Sequence, residues 1–293
     1  MSKKIVVIGG SGFLGSHVAD ELTLLGYKVT ILDKLKSKWS KSNQKFFLCD
    51  IFNKKLLRKY IKGAHAVFNY AAIADLKDTL SKPIETVNNN ILSVVNLLEI
   101  CKELKVKQFI HASTIYVSGN HGGFYKSSKL ASESYIEEYN RIYGLNYTIL
   151  RYGTLYGSRS DGSNGLYQIV KNALKHNKII FSGDPEAMRD YINVIDAAKA
   201  STKSLEKNFR NKKVIISGNE TIKVRDLLAI LSEMMNLKNK VKFVSKNKIK
   251  QHSHYVRTPY SINTNLVMRY NENFNIDIGQ GLYNLIKEIK KNS

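Results

Sequence analysis

Tyr125 and Lys129 stand four residues apart at the start of a segment whose apolar residues recur with helical spacing, so both side chains leave one helix face. A lysine ammonium in that arrangement favours a tyrosinate and lowers the phenol from its reference pKa of about 10. A shift of ~3 pH units takes about 4 kcal/mol, more than one exposed cation supplies. A positively charged nicotinamide beside the pair would add the remainder, which makes the tyrosine a base only with an oxidised cofactor in place. The preceding strand ends in His111-Ala112-Ser113-Thr114 and brings hydroxyls to the mouth of the same cleft. A solvated helix face carrying Tyr and Lys by chance is the competing reading.

The cofactor half of that chemistry has its own pattern. A β-branched run, Ile5 to Ile8, enters Gly9-Gly10-Ser11-Gly12-Phe13-Leu14-Gly15 and then a helical segment. Glycines there permit a tight turn, close approach of the backbone to a pyrophosphate and close packing of helix on strand, while the helix N-terminus favours the anion. Asp33 ends the second strand and is placed to accept hydrogen bonds from both ribose hydroxyls. Its charge repels a 2′-phosphate and so selects NAD, although Lys34 and Lys36 nearby oppose that effect. A tight turn with no ligand is the alternative. No G-x-S-x-G elbow accompanies Ser113, so a hydrolase triad is not expected. His111 reads as a core or supporting residue. His252 and His254 are two apart without a carboxylate or cysteine partner, and no metal is expected.

The elements that must position these residues alternate in type. Strands are predicted at Lys4–Ile8, Lys28–Leu32, Phe46–Leu48, Ala66–Phe68, Gln108–His111 and Tyr147–Arg151. Helices are predicted at Phe13–Leu25, near Leu56–Ile61, and over Ile84–Leu104 and Tyr125–Tyr143. This order implies an α/β fold built on a doubly wound parallel sheet, Rossmann-like, with a cleft at the C-terminal ends of the strands. Beyond about residue 160 the pattern loosens, with helices near Gly165–His176, Ala197–Lys207, Val224–Met235 and Gly281–Lys290. Residues 1–160 thus read as the dinucleotide-binding domain. Residues 161–293 read mainly as a smaller substrate-binding lobe that returns some strands and helices to the main domain.

With 293 residues, 43% hydrophobic, 24% charged and 3 prolines, the chain is an ordinary globular protein, neither disordered nor collagenous. The net charge of +22 is spread along the sequence. Its densest basic stretch, Lys238–Lys250, lacks the ordered arginines of base readout, so the excess suits an anionic small substrate better than nucleic acid. Cys49 and Cys101 sit in apolar stretches and read as reduced, buried thiols in a cytoplasmic setting. No run of 18 apolar residues occurs, so no membrane span is expected.

Taken together, Gly9 to Gly15, Asp33, Asp50-Ile51, Asn69-Tyr70-Ala71-Ala72, Asn90, Asn96 to Glu99, Ser113-Thr114, Tyr125 to Lys129 with Glu133, Leu150 to Gly153, Tyr156-Gly157 and Arg189 to Ile192 follow one family's order over residues 4–200. The sequence resembles the extended short-chain dehydrogenase/reductase superfamily, in its NAD-dependent nucleotide-sugar epimerase/dehydratase branch. That resemblance implies a catalytic set of Thr114, Tyr125 and Lys129. It implies a cofactor groove of Gly9, Gly12, Phe13, Leu14, Gly15, Asp33, Asp50, Ile51, Tyr70, Ala71, Ala72, Asn90, Tyr125, Lys129 and Tyr152, with Asn90 supporting either the fold or the cofactor near it. Arg189 would hold the diphosphate of a nucleotide sugar, with Asn164 and Arg257 as further substrate contacts; an ion pair with Asp190 is the alternative for Arg189. A homodimer through the helices Ile84–Leu104 and Tyr125–Tyr143 is the family expectation, with Ile91, Val94, Val95 and Leu98 compatible with it and equally with packing on the sheet.

Three departures stand out. The Ser118–Phe124 loop is short and glycine-rich and is expected to widen the cleft. Thr154 replaces a common asparagine, and Ser118 replaces a common tyrosine. Related 4,6-dehydratases carry an Asp-Glu pair after the threonine, where this chain has Ile115 and Tyr116. The expected activity is therefore a nucleotide-sugar 4-epimerase working through a 4-keto intermediate. The alternatives are a dehydratase or oxidoreductase on a related sugar, or a non-catalytic dinucleotide sensor.

Overall fold

Runs such as Lys-Ile-Val-Val-Ile, with no polar alternation, form strands buried on both faces, and they lie at the centre of one eight-stranded parallel sheet whose edge strands are more open. The computed structural model describes residues 2–237, 240–244, 256–259, 267–270 and 274–292. The strands are β1 (Lys4–Ile8), β2 (Lys28–Asp33), β3 (Lys45–Leu48), β4 (Ala66–Asn69), β5 (Gln108–Thr114), β6 (Tyr147–Tyr152), β7 (Thr154–Tyr156), β8 (Ile179–Phe181), β9 (Met188–Asn193), β10 (Lys212–Ile216), β11 (Thr221–Lys223), β12 (Val241–Phe243) and β13 (Val267–Arg269). The main sheet runs β13-β10-β6-β5-β4-β1-β2-β3. The order reverses between β1 and β4, which opens a crevice above their C-terminal ends.

Helices α1 (Phe13–Leu24), α2 (Lys54–Ile61), α3 (Leu76–Ser81), α4 (Pro83–Val87), α5 (Ser93–Glu103), α6 (Gly123–Tyr143), α7 (Gly165–His176), α8 (Val194–Lys203), α9 (Val224–Met234) and α10 (Ile278–Lys291) complete the fold. Alternate strand residues feed two cores. Val7, Ile31, Phe68 and Leu150 pack with Val18 and Leu22 of α1 and Ala197 of α8. Val6, Leu32, Val67 and Phe109 pack with Leu57 of α2, Leu97 of α5 and Ile136 of α6 on the other face. A third core joins α7, α9 and α10 through Leu166, Val170, Leu228, Leu282 and Leu285. Small sheets β11-β9-β7 and β12-β8 belong to this C-terminal part, while β10 and β13 lie in the main sheet.

Several boundaries differ from the sequence reading. The helix expected over Ile84–Leu104 begins with Pro83 at its first turn, passes through a π-helical turn at Asn88–Leu92 and continues as α5. α3 was not anticipated; Asp75 caps it, accepting from the backbone N–H groups of Lys77 and Asp78. α8 starts at Val194, three residues earlier than periodicity alone places it, because Asn193 caps Ile195 N. The His252 and His254 positions and most of the Lys238–Lys250 stretch lie outside the described residues.

Candidate active site

The glycine turn is built by close contact. Gly9 has φ +75°, and a Cβ there would stand 2.6 Å from Ala71 N; a Cβ on Gly15 would stand 2.3 Å from Gly9 O. Gly12 is the N-cap of α1 and offers no side chain to its first amides. Such a cradle, with side chains removed where backbone segments converge, fits a dinucleotide pyrophosphate. Asp33 lies beside the turn, its Oδ2 accepting from Ser11 N at 3.0 Å and Oδ1 from Leu35 N at 3.0 Å. Asp50 is exposed, Ile51 half-buried, and Phe13, Leu14, Tyr70, Ala71 and Ala72 half-buried along the same crevice.

Two expected cofactor residues work inside the chain. Asn90 is fully buried: Oδ1 accepts from Ile73 N, and Nδ2 donates to Ile73 O and Ser128 Oγ, which ties the loop after β4 to the π turn and α6. The Tyr152 hydroxyl lies 2.6 Å from Ser201 Oγ and 3.2 Å from the Tyr70 hydroxyl, and burial pushes the Tyr70 phenol up to about 12.

The strand ends bring the reactive candidates together. β5 continues past His111, and Thr114, paired with Tyr152 of β6, is its last residue. Thr114 is buried, and its Oγ1 accepts from Tyr116 N at 3.3 Å to open a 3-10 turn over Ile115–Ser118. Lys129 is 2% exposed; its Nζ donates to Ala112 O at 2.8 Å and lies 5.8 Å from the Tyr125 ring centroid. Burial therefore dominates the pair. It lowers the lysine to about 8, against the opposing pull of Glu133, and raises the Tyr125 phenol to about 12. Burial alone sets the direction for the free phenol, in keeping with the expectation that the lysine by itself is not enough to make this tyrosine a base. His111 is fully buried, its Nδ1 3.4 Å from Asn69 Nδ2, and burial together with Lys129 holds it neutral.

The Ser118–Phe124 loop does not simply widen the cleft. Gly122, at φ +102°, lets the Tyr116 ring approach to 2.9 Å of where its Cβ would be, and Gly119 does the same for Pro259. Lys126 Nζ donates to Gly119 O, and Tyr116 stands edge-on to Tyr125 at 6.5 Å between centroids.

The proposed substrate residues divide. Asn164 caps α7, accepting from Leu166 N and Tyr167 N and donating to Leu155 O, so its side chain has a local structural role. Arg189 is half-buried on β9 and donates to Met188 O at 3.0 Å and Val256 O at 3.4 Å. The Asp190 carboxylate turns elsewhere, accepting from Thr221 Oγ1 and standing 4.0 Å from Arg269. Arg257 is exposed in the 256–259 segment, which touches β9 through Met188 N and Asp190 N and the loop before α6 through Pro259. Residue reasoning did not foresee the buried group of Ser113, Glu133 and Arg151 behind Thr114. The signal available was spacing, since Glu133 follows Lys129 by four residues on the same helix face.

The sequence profile of the NAD dependent epimerase/dehydratase family matches residues 5–217. A Methanocaldococcus jannaschii protein named "Putative UDP-glucose 4-epimerase" is 34% identical over 249 residues, spanning 78% of this chain and 81% of its own. The UDP-glucose 4-epimerase of Thermotoga maritima, solved with UDP-glucose, superposes with a TM-score of 0.86 at 26% identity over 99% of both chains. The Bacillus cereus UDP-glucuronic acid 4-epimerase, solved with UDP-glucuronic acid and NAD, gives 0.86 at 25% identity, over 99% of this chain and 100% of that one.

Proposed function

Because this chain belongs to the NAD dependent epimerase/dehydratase family, we propose that it is a UDP-sugar 4-epimerase whose catalytic set is Thr114, Tyr125 and Lys129. What supports this reading is that Lys129 of α6 lies 5.8 Å from the Tyr125 ring and donates to Ala112 O, two residues before Thr114 at the end of β5, in a chain whose glycine turn after β1 suits NAD. NAD would be held by the glycine turn after β1 and by Asp33, and when bound would supply the oxidising power for C4 of the sugar and the hydride that reduces it again.

Tyr125 takes the proton of the C4 hydroxyl and later gives it back, Thr114 shares the hydrogen bond to that oxygen, and Lys129 carries the positive charge that lowers the phenol once the site is filled. Burial holds the free phenol near 12, so the tyrosine stays protonated until substrate and cofactor are in place. Arg189 and Arg257 are the candidate diphosphate contacts, since guanidinium matches phosphate oxygens bidentately. Ile115 cannot move a proton, and the Tyr116 phenol is a poor substitute for a carboxylate, so elimination of water lacks its acid and base.

Residues 1–160 serve the cofactor and residues 161–293 mainly the sugar nucleotide. A homodimer is supported by the exposed apolar residues Ile84, Val87 and Leu92 beside Leu130, Tyr135 and Ile142 of α6. Val94 and Leu98, by contrast, are buried against the sheet. The buried free thiols of Cys49 and Cys101 suit the reducing cytoplasm. Among the described residues no helix is long and apolar enough to cross a membrane.

Incubation with UDP-galactose or UDP-glucose, followed by NMR and mass spectrometry, tests the reading. Interconversion at constant mass with no net NADH is expected, and Tyr125→Phe should lower turnover at least ~100-fold while NAD still binds. Loss of one water from the product would replace the epimerase by a dehydratase.

A further inference from the structure

Arg151 leaves β6 for the interior and closes a bidentate pair on Glu133, Nε to Oε1 at 3.0 Å and Nη2 to Oε2 at 2.6 Å, with the side chains 7% and 2% exposed. Ser113 Oγ donates to the same Oε1 at 2.6 Å. Arg151 Nη1 donates to Ser118 Oγ at 3.4 Å. Lys213 of β10 stands 3.8 Å from Glu133 Oε2 and 2.8 Å from Glu137 Oε1. One carboxylate on α6 thus gathers partners from three neighbouring strands.

Stability alone is a weak reason for such a group. A buried ion pair loses so much hydration that apolar residues of similar volume often replace it without loss. Its anchor points suggest a different reason. Glu133 lies one helical turn beyond Lys129; Ser113 directly precedes Thr114; Ser118 closes the 3-10 turn that the Thr114 hydroxyl opens. We propose that Arg151 and Glu133 are positioning residues: their fork fixes α6 against the end of β5 and so holds the Thr114 hydroxyl and the Lys129 ammonium in register with Tyr125. This inference rests on the reading of those three residues as the catalytic set. Charge adds to geometry. The Lys129 ammonium faces Ala112 O and His111 from β5 and Tyr125 from its own helix, and Glu133 is the acid that opposes its loss of a proton.

The full-length protein with NAD is compared with Arg151→Lys, which keeps the charge but loses the fork, and with Glu133→Gln/Arg151→Met, which removes both charges and leaves neither orphaned. The expected result is a kcat for UDP-galactose epimerisation reduced about 100-fold in both, with KM changed less than about threefold. The double variant should melt close to wild type. A double variant with wild-type kcat, or variants in which KM, kcat and folded yield fail together, would reduce the pair to a structural bridge. A second measurement needs no turnover: the ε-methylene ¹³C resonance of Lys129, identified by its loss in Lys129→Arg, is titrated in the free protein. Glu133→Gln should move its midpoint to lower pH, and an unchanged midpoint overturns the electrostatic coupling. If wild-type protein interconverts neither UDP-glucose nor UDP-galactose, the epimerase reading fails by itself, and the Lys129 titration still tests the coupling of Glu133 to Lys129.

Discussion

Lys129 must carry a proton where the fold has removed almost all water, and that conflict has a measurable cost. Its ammonium has one backbone acceptor, Ala112 O, and burial brings its pKa from 10.5 to about 8. A lysine depressed in this way opposes folding fully below pH 8, where both folded and unfolded chains are protonated. Between about 8 and 10.5 the unfolded chain binds more protons, so stability rises with pH across that window and the penalty is gone above it. Lys129→Met should therefore stabilise the free protein at pH 7 by about 1–3 kcal/mol, allowing for the lost hydrogen bond, while lowering turnover. Denaturant melts at pH 7 and 10 check this; a variant less stable than wild type at pH 7 would show that the ammonium is well accommodated. Spacing in the sequence pointed to Tyr125 with Lys129, but not to which effect wins between them, because desolvation is set by β5 and the rest of α6, not by the four-residue interval.

Among the elements, the start of α1, the loop after β2 and the loop after β7 are tied into one junction. His17 Nε2 lies 3.0 Å from Ser158 O, and Asp20 pairs with Arg159 at 2.7 Å and Lys41 at 3.2 Å while accepting from Gln44. Arg159, left-handed at φ +63°, lies over Trp39 at 5.0 Å and takes Glu288 of α10 on its backbone N–H. Burial and the Arg159 charge depress His17 to about 4, so it folds neutral. An unfolded histidine near 6.5 binds a proton that the folded one refuses. Stability is therefore lost as pH falls from about 6.5 to 4, by about 3 kcal/mol when complete. His17→Gln, whose amide can still reach Ser158 O, should flatten that part of the stability-pH curve; an unaltered slope would assign the acid loss to other groups.

None of these ties is local, and none was read from the sequence, whereas the central strands of the main sheet were, because uninterrupted runs such as Ile5 to Ile8 declare themselves buried on both faces. The three-residue strands β7, β8, β11, β12 and β13 are too short to show a period. The π turn at Asn88–Leu92 keeps helical spacing on either side and leaves no mark in the pattern. Asn164 looks the same in sequence as a ligand contact or as a helix cap; only the position of α7 shows that its side chain caps that helix.

For the whole molecule, the uncovered apolar side chains of the Pro83–Leu92 stretch and α6 form the face on which association is expected. Ile84 is 74% exposed and Ile142 56%. Sedimentation should give a homodimer, and Ile84→Glu with Ile142→Glu should yield a monomer that still binds NAD; a wild-type monomer would remove this face from consideration. The main sheet is also closed late. β6 ends at Tyr152, but its outer neighbour β10 comes only at Lys212–Ile216 and β13 at Val267–Arg269. A ribosome that has delivered β6 has therefore made a sheet with a bare, apolar edge, and at 5–20 residues per second it needs on the order of 3–12 s more to deliver the strand that covers it. During that interval the nascent chain is the form most exposed to edge-to-edge aggregation, and holding by a chaperone would matter most there.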